Sequence, residues 1–408
     1  MPRDLWLIQP FNSLVVADGR PFENQPGARA KSLSFPPPSV TAGGFRARAG
    51  VKANYDFAQK LTPEQHKTLL NMQVHGPILL KESLDLLIPF VAIPADALIR
   101  QDGSNVTCYR LQPLDPAYFP SEQTDLNQPD PKHPNQPRFA LVGSQQLTKG
   151  KAPANLPRFW NWDGLFLPWL INPHIHEFSL EQQVADGQML DLERDTRTHV
   201  GITASTQVAE DGQLFQTQGL NFHTLAASYS LGLWSETPID SAVASLGAER
   251  RLINWRQSAI PVSPNFTNIH PAILNDIKQA KHCRIVLLTP AIWDAGFYPN
   301  KLPTFELPIT ATIKAVVNPR PEYVSGWDLQ AQTPRETRRL AAAGTVLFVE
   351  LAGSEAEIEQ WAHQIWFHNI SSCDKKPKEG HIADQAAKDG FGLAVLGTWN
   401  DGYLQELA

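Results

Sequence analysis

His174 and His176, in the run His174-Ile-His-Glu177, carry two imidazoles at a spacing that could hold a metal ion. Alternate residues of a strand share one face, so both rings would point the same way. A catalytic zinc takes three protein ligands, and the sequence assigns no third, so a metal hydrolase stays an open alternative. His199, in Thr198-His-Val-Gly-Ile202, has the side chain of a general base for RNA cleavage, although a lone histidine equally serves a structural role or an RNA contact. Cys108, Cys283 and Cys373 are far apart and form no CxxC pair, which argues against a zinc knot or a redox couple and for a reducing compartment. No Gly-x-Ser-x-Gly elbow and no close carboxylate pair stands out. These residues do not assemble into a catalytic constellation, and no cofactor or resident metal is expected.

Groups suited to anions are easier to find. In Lys388-Asp-Gly-Phe-Gly-Leu-Ala-Val-Leu-Gly-Thr-Trp399, the residues Gly390, Phe391 and Gly392 open a short apolar strand. Glycines let a backbone approach phosphates closely and turn its N–H groups towards them, although a plain tight turn has the same pattern. No helix opens after these glycines, so the run is not a dinucleotide fingerprint, and no Gly-Lys-Ser/Thr makes it a P-loop. Arg46 and Arg48 lie near a helix start beside Gly43-Gly44, with Arg29 and Lys31 upstream; the guanidinium fork suits phosphate oxygens, or else decorates a solvated helix face. Further basic clusters are Arg250-Arg251 and Arg335 with Arg338-Arg339. Of the eleven tryptophans, some could stack bases, but Trp361 and Trp366 have the spacing of core residues.

The elements that must position these groups alternate between strands and capped helices. Leu5-Trp-Leu-Ile8 reads as a first strand, followed by a long loop and a helix capped by Ser39 that carries Arg46 and Arg48. Thr62-Pro-Glu-Gln65 and Ser354-Glu-Ala-Glu357 are capping boxes, the first opening a helix to about Met72 and the second a helix with Ile358, Trp361, Ile365 and Trp366 on one face. Residues 77–99 read as short strands, as do 284–289, 313–317, 345–351 and 392–396. Residues 199–204 and 212–216 read as two strands flanking a turn at Asp211-Gly212. The stretch 112–137 holds seven prolines among polar residues and reads as a surface insertion rather than a domain.

With 408 residues the chain is long enough for two domains. The strand, capped helix and returning strand near the C-terminus suggest ferredoxin-like units packed side by side, an α+β fold. Lys and Arg total 35 against 41 Asp and Glu, a net charge of −6, so a nucleic-acid partner would have to be met by a local basic patch. The start has no apolar core of signal-peptide length and no apolar run approaches membrane-spanning length, so a soluble, cytoplasmic protein is expected.

Taken in order, the motifs resemble the third subunit of type III-B CRISPR (Cmr) effector complexes, members of the RAMP superfamily. The residues that carry the resemblance are Leu7-Ile-Gln-Pro-Phe11, Asp18-Gly-Arg-Pro-Phe22, the run from Phe35-Pro-Pro-Pro-Ser39 to Gly43-Gly-Phe-Arg46, Gly76-Pro77, Pro94-Ala-Asp96 and Arg197-Thr-His-Val-Gly-Ile202. They continue with Gly247-Ala-Glu-Arg-Arg251, Leu288-Thr-Pro-Ala291, Ser325-Gly-Trp-Asp328, Ala343-Gly-Thr-Val-Leu-Phe348 and Gly390 to Trp399. Ala248 stands where the family usually has a second glycine, and the 112–137 stretch looks like an addition. The resemblance implies two ferredoxin-like (RRM-like) domains facing each other, 1–190 and 191–408, with the glycine-rich loop and basic helix residues lining the cleft. It implies a non-catalytic role: holding the repeat-derived 5′ tag of the guide RNA (crRNA) and bridging the large Cas-ten-type, polymerase-like subunit to the backbone RAMP subunits. The expected RNA contacts are Arg46, Arg48, Gly390, Phe391, Gly392 and His199, then Lys31, Arg338 and Arg339. Alternatives are a guide-processing RAMP endoribonuclease using His199, the equivalent subunit of the type III-A (Csm) complex, and the metal hydrolase at His174 and His176.

Overall fold

A computed structural model describes residues 3–16, 29–30, 32–115, 139–203, 205–224, 227–328, 333–334, 336–372, 385–400 and 402–405. Asp18-Gly-Arg-Pro-Phe22, Lys31, Cys373 and nearly all of the proline-rich 112–137 stretch lie outside the described residues.

The first strand, Asp4–Pro10, lies inside an eight-stranded antiparallel sheet. In spatial order its strands are Met189–Leu190, Phe159–Asn161, Leu87–Ala92, His75–Glu82, Tyr229–Ser235, Asp4–Pro10, Arg251–Gln257 and Ala242–Leu246. Strand residues alternate between faces, and here both faces are apolar. Trp6 and Ile8 pack with Phe45, Ala42 and Ala49 of the helix Pro38–Lys52, whereas Leu7 enters a second core shared with the C-terminal half. The helix lies so close to the sheet that a Cβ on Gly44 would come within 2.6 Å of Leu246 and 2.9 Å of Trp255, so this glycine serves packing. The helix starts at Pro38 with Pro37 as its cap, rather than at Ser39: proline at the first helical position needs no N–H partner, and no side chain caps this end. The helix Pro63–Asn71 has the expected capping box, with Thr62 and Gln65 bonded reciprocally.

The C-terminal half builds a five-stranded antiparallel sheet in the order Thr310–Val317, Val346–Ala352, His282–Leu287, Leu393–Gly397, His368–Asn369. The helix Glu355–Ile365, opened by the Ser354–Glu357 capping box, packs Ile358, Trp361 and Ile365 into the same core as Ile273 and Ile277 of the helix Pro271–Ala280. Trp366 ends that helix as its cap and donates its indole N–H to Phe266 O at 3.1 Å. The fold is therefore mixed α+β, mostly antiparallel sheet with few helices.

Strands on both sides of residue 190 share the first sheet, since Tyr229–Ser235 and Arg251–Gln257 flank the first strand. The two halves are pinned by a buried ion pair. Arg284, in the strand His282–Leu287, meets Asp96 with both side chains 1% exposed. The other guanidinium nitrogens are engaged as well: Nε donates to Thr398 O at 2.6 Å and Nη2 to Trp169 O at 2.7 Å and Leu170 O at 3.2 Å, while Trp169 donates its indole N–H to Asp96 at 3.0 Å. A buried pair is tolerable when its remaining lone pairs and protons are satisfied in this way. Cys108 and Cys283 are free and buried in the core. Among the described residues no helix is long and apolar enough to cross a membrane.

Two features project from this body. The strands Arg194–Ile202 and Ala209–Leu220 form a long hairpin whose turn lies between Ile202 and Ala209, with a register shift after Val200. Asp211-Gly212 is therefore inside the second strand rather than at the turn, because Thr203 N–H bonds Val208 O at 3.0 Å and closes the loop earlier. A short hairpin of Glu322–Val324 and Arg338–Leu340 projects from the C-terminal half.

Candidate nucleic-acid interface

The glycine-rich run 390–392 is buried at the seam between the halves. Gly390 has φ +98°, and a Cβ there would come within 2.3 Å of Gly76 O, so the two backbones touch and only glycine fits. Its carbonyl accepts the Thr289 hydroxyl at 2.7 Å. The N–H groups of Gly390, Phe391 and Gly392 donate to Ala387, Ala386 and Pro290 carbonyls at 3.2, 3.1 and 2.8 Å, so each is already engaged within the protein. Phe391, 2% exposed, packs beneath Val324 and Leu340 of the short hairpin. The run thus fastens that hairpin to the body.

Arg46 belongs to the same seam. Its guanidinium is buried, ion-paired with Asp389 and bonded to Met72 O at 2.9 Å. Asp389 also accepts from Gln385 Nε2 at 2.7 Å, and Asn369 donates to Val74 O and Ala387 O, both at 2.7 Å. Arg48, two residues along the helix, is half-buried, pointing instead to the carbonyl of Asp240 at 3.3 Å. The two arginines expected to act together therefore lie in different surroundings, as neighbours two apart on a helix must.

Beside this seam a cavity of about 560 Å³ opens between the halves. Leu33–Pro38, Pro77–Leu79, Phe90–Ala92 and Arg158–Phe159 line one wall; Leu288–Pro290, Glu322–Ser325, Thr337, Leu340 and Ala343 line the other. Five of the sequence motifs reach this cavity, through Phe35-Pro-Pro-Pro38, Pro77, Leu288-Thr-Pro290, Ser325 and Ala343. Arg158 and Glu322 approach to 3.6 Å across the mouth. Burial pushes the Glu322 carboxyl up from its ordinary value, against the opposing pull of Arg158. On the short hairpin Tyr323, 58% exposed, is the direct cross-strand partner of exposed Arg339, which places both side chains on one face. Arg338, the partner of Val324, is 3.5 Å from Glu336. Sequence reasoning picked out Arg338 and Arg339, named Phe35 only within its motif, and missed Tyr323 and Arg158. A readable signal existed for Tyr323 alone, an aromatic between Glu322 and Val324 in a strand pattern.

His199 lies apart from the cavity, on the long hairpin. Its ring stacks on its cross-strand partner Phe215 with centroids 5.1 Å apart and 14° between planes, and its Nε2 is 2.9 Å from Thr217 Oγ1. The imidazole is thereby fixed in orientation. Around it the hairpin is polar, with Arg194 bonded to Gln218 at 2.8 Å and Arg197 to Asp195 at 2.8 Å, while Val200, Ile202, Val208 and Leu214 are exposed towards its tip. His174 is exposed and lies just before the strand His176–Phe178, which opens on the half-buried His176. Among the described residues no group of three or more His, Cys, Asp or Glu could hold a metal ion.

A family model described as CRISPR-associated protein (Cas_Cmr3) matches residues 6–399. Among curated protein sequences none matches the chain. Two similar solved structures are "Cryo-EM structure of the Type III-B Cmr-beta bound to cognate target RNA and AMPPnP, state 1" and "Cryo-EM structure of the Type III-B Cmr-beta bound to cognate target RNA". The matched chains are 13% and 14% identical to this one; each alignment covers 84% of this chain and 86% of that chain, with a TM-score of 0.42.

Proposed function

Because this chain belongs to the Cas_Cmr3 family of CRISPR-associated proteins, we propose that it is the non-catalytic RNA-holding subunit of a type III-B (Cmr) effector complex. In this role it grips the repeat-derived 5′ tag of the guide RNA and bridges the large polymerase-like subunit to the backbone RAMP subunits. The observation that carries the reading is the family match over residues 6–399, nearly the whole chain.

Two ferredoxin-like domains fit the strand orders. In the first sheet Arg251–Gln257, Asp4–Pro10, Tyr229–Ser235 and His75–Glu82 stand in the order four-one-three-two by sequence, and in the second Leu393–Gly397, His282–Leu287, Val346–Ala352 and Thr310–Val317 do the same. A split βαβ arrangement has this order. On this reading the division falls after residue 257 rather than after 190, with both sheets completed by strands from one side of it.

We assign the RNA-facing surface to Tyr323, Arg338 and Arg339 on the short hairpin, Arg158 at the cavity mouth, and His199 with Phe215 on the long one. An exposed aromatic beside a guanidinium suits single-stranded RNA, which is held by stacked bases and phosphate contacts. Such a local surface reconciles RNA binding with a net charge of −6. Arg46, Asp389 and Gly390–Gly392 act as positioning residues that hold the hairpin in place, and Arg48 and Lys31 are further phosphate contacts. His199 contributes a stacking ring, held in orientation by Phe215 and by Thr217 at Nε2.

Photo-crosslinking of a reconstituted complex, followed by mass spectrometry of RNA-linked peptides, tests the assignment. Crosslinks from 5′ tag nucleotides to the peptides holding Tyr323 or His199 are expected. Crosslinks of the tag to other subunits alone would overturn it.

A further inference from the structure

The histidine pair 174/176 is absorbed by nothing above, and its local geometry is specific. His174 Nδ1 lies 3.0 Å from Asn172 O, and His176 Nδ1 lies 3.1 Å from His174 O. Each ring thus faces the carbonyl two residues before it, an acceptor that can only take a proton. Nδ1 must therefore carry the hydrogen in both neutral rings, which leaves both Nε2 atoms as lone-pair donors. A backbone carbonyl on the other ring nitrogen is the arrangement that orients metal-ligating histidines and raises their basicity.

The spacing agrees. The same hydrogen bond repeats at positions two apart on extended chain, so the rings project in the same sense. Their centroids are 4.9 Å apart with 41° between planes. Two imidazoles bound through Nε2 at about 2.1 Å to one tetrahedral ion would have centroids about 5 Å apart. His174 is exposed, so an ion reaches the site from solvent.

We propose that His174 and His176 form a two-histidine surface site for a borderline divalent transition ion such as zinc, nickel or copper. With no third protein ligand among the described residues, water fills the remaining positions in the isolated chain. The site is distinct from the surface assigned to RNA and does not depend on it.

Calorimetric titration of the full chain with zinc or nickel alone, in buffer without chelator, tests this. Wild type should bind one equivalent more than the double variant His174→Ala with His176→Ala, and each single variant should lose about tenfold or more in affinity at that equivalent. An unchanged stoichiometry in the double variant would overturn the site. A second reading uses the unaltered protein: histidine-selective nitrogen NMR should show both rings protonated at Nδ1, with both Nε2 resonances shifting on one equivalent of zinc. Nε2 resonances unmoved by zinc would equally overturn it.

Discussion

Arg46 and Arg48 look alike in sequence, two basic residues on one helix, and the fold gives them opposite fates. Arg46 is buried against Asp389, 343 residues away, whereas Arg48 reaches only a surface carbonyl. Removing one member of a buried pair strands the other, at about 3–5 kcal/mol. Arg46→Ala should therefore lower the urea midpoint sharply, by an amount of that order in free energy, while Arg48→Ala should stay within about 0.5 kcal/mol of wild type. Equal stability of the two variants would contradict the assignment. Nothing in the chain announces Asp389 as a partner, because long-range pairing leaves no local pattern; the sequence therefore shows the arginine without its carboxylate. The same applies to Gly390, legible as a special backbone position but not as the one facing Gly76 O. A second consequence concerns pH. Burial holds His75 down to about 3, helped by the nearby charges of Arg3 and His368, and holds His368 down to about 4 by burial with Arg3 again assisting. Both prefer to be neutral when folded, so the unfolded chain binds more protons below about pH 6.5. Their contribution is complete above that pH and is lost as pH falls from about 6.5 towards about 4 for His368 and about 3 for His75. Burial raises the carboxyls of Asp191, Asp276 and Glu322, which act in the opposite sense, so the histidine part is isolated by comparison. Between pH 7 and 5 wild type should lose more stability than His75→Gln loses; parallel losses in urea unfolding would contradict this.

At the scale of elements, what local chemistry specifies was readable. Both capping boxes form as the residues require, and the apolar runs near 284–289, 345–351 and 392–396 are strands within a residue or two. The long hairpin was legible as two strands, but its turn was misplaced. Asp-Gly is a strong turn signal, and it lost to the pairing of His199 with Phe215 and Val200 with Leu214, which sets the register from the other end. The short hairpin was missed as an element, although two of its arginines were named, because a three-residue strand shows too little alternation to read. Base stacking on an aromatic is worth about 1–3 kcal/mol, so Tyr323→Ala should weaken guide-RNA retention by roughly 5- to 150-fold. Arg339→Ala should weaken it less and reduce its salt dependence. Both residues are exposed, so thermal unfolding should be unchanged in either variant. Retention of RNA at wild-type strength in the double variant would remove this hairpin from the interface.

For the whole molecule, the α+β class and the family resemblance were legible from the sequence, whereas the return of later strands to the first sheet was not. Nothing in residues 190–260 marks that the strands Tyr229–Ser235 and Arg251–Gln257 return to enclose the first strand. A fragment of residues 1–190 leaves Asp4–Pro10 without either neighbour and uncovers its Leu7 face, which packs in the core shared with the C-terminal half. It should therefore be unfolded or aggregated, as judged by near-ultraviolet dichroism and gel filtration, while the intact chain unfolds in one transition because a single core joins both halves. A folded 1–190 fragment would contradict this topology. The central claim is that the chain holds guide RNA within a larger assembly. The most direct measurement is to purify the tagged protein gently from its own cells and sequence the RNA and identify the proteins that come with it. Guide RNAs sharing a repeat-derived 5′ end, together with a polymerase-like large subunit and backbone RAMP subunits, are the predicted result; a lone protein free of RNA would contradict the account.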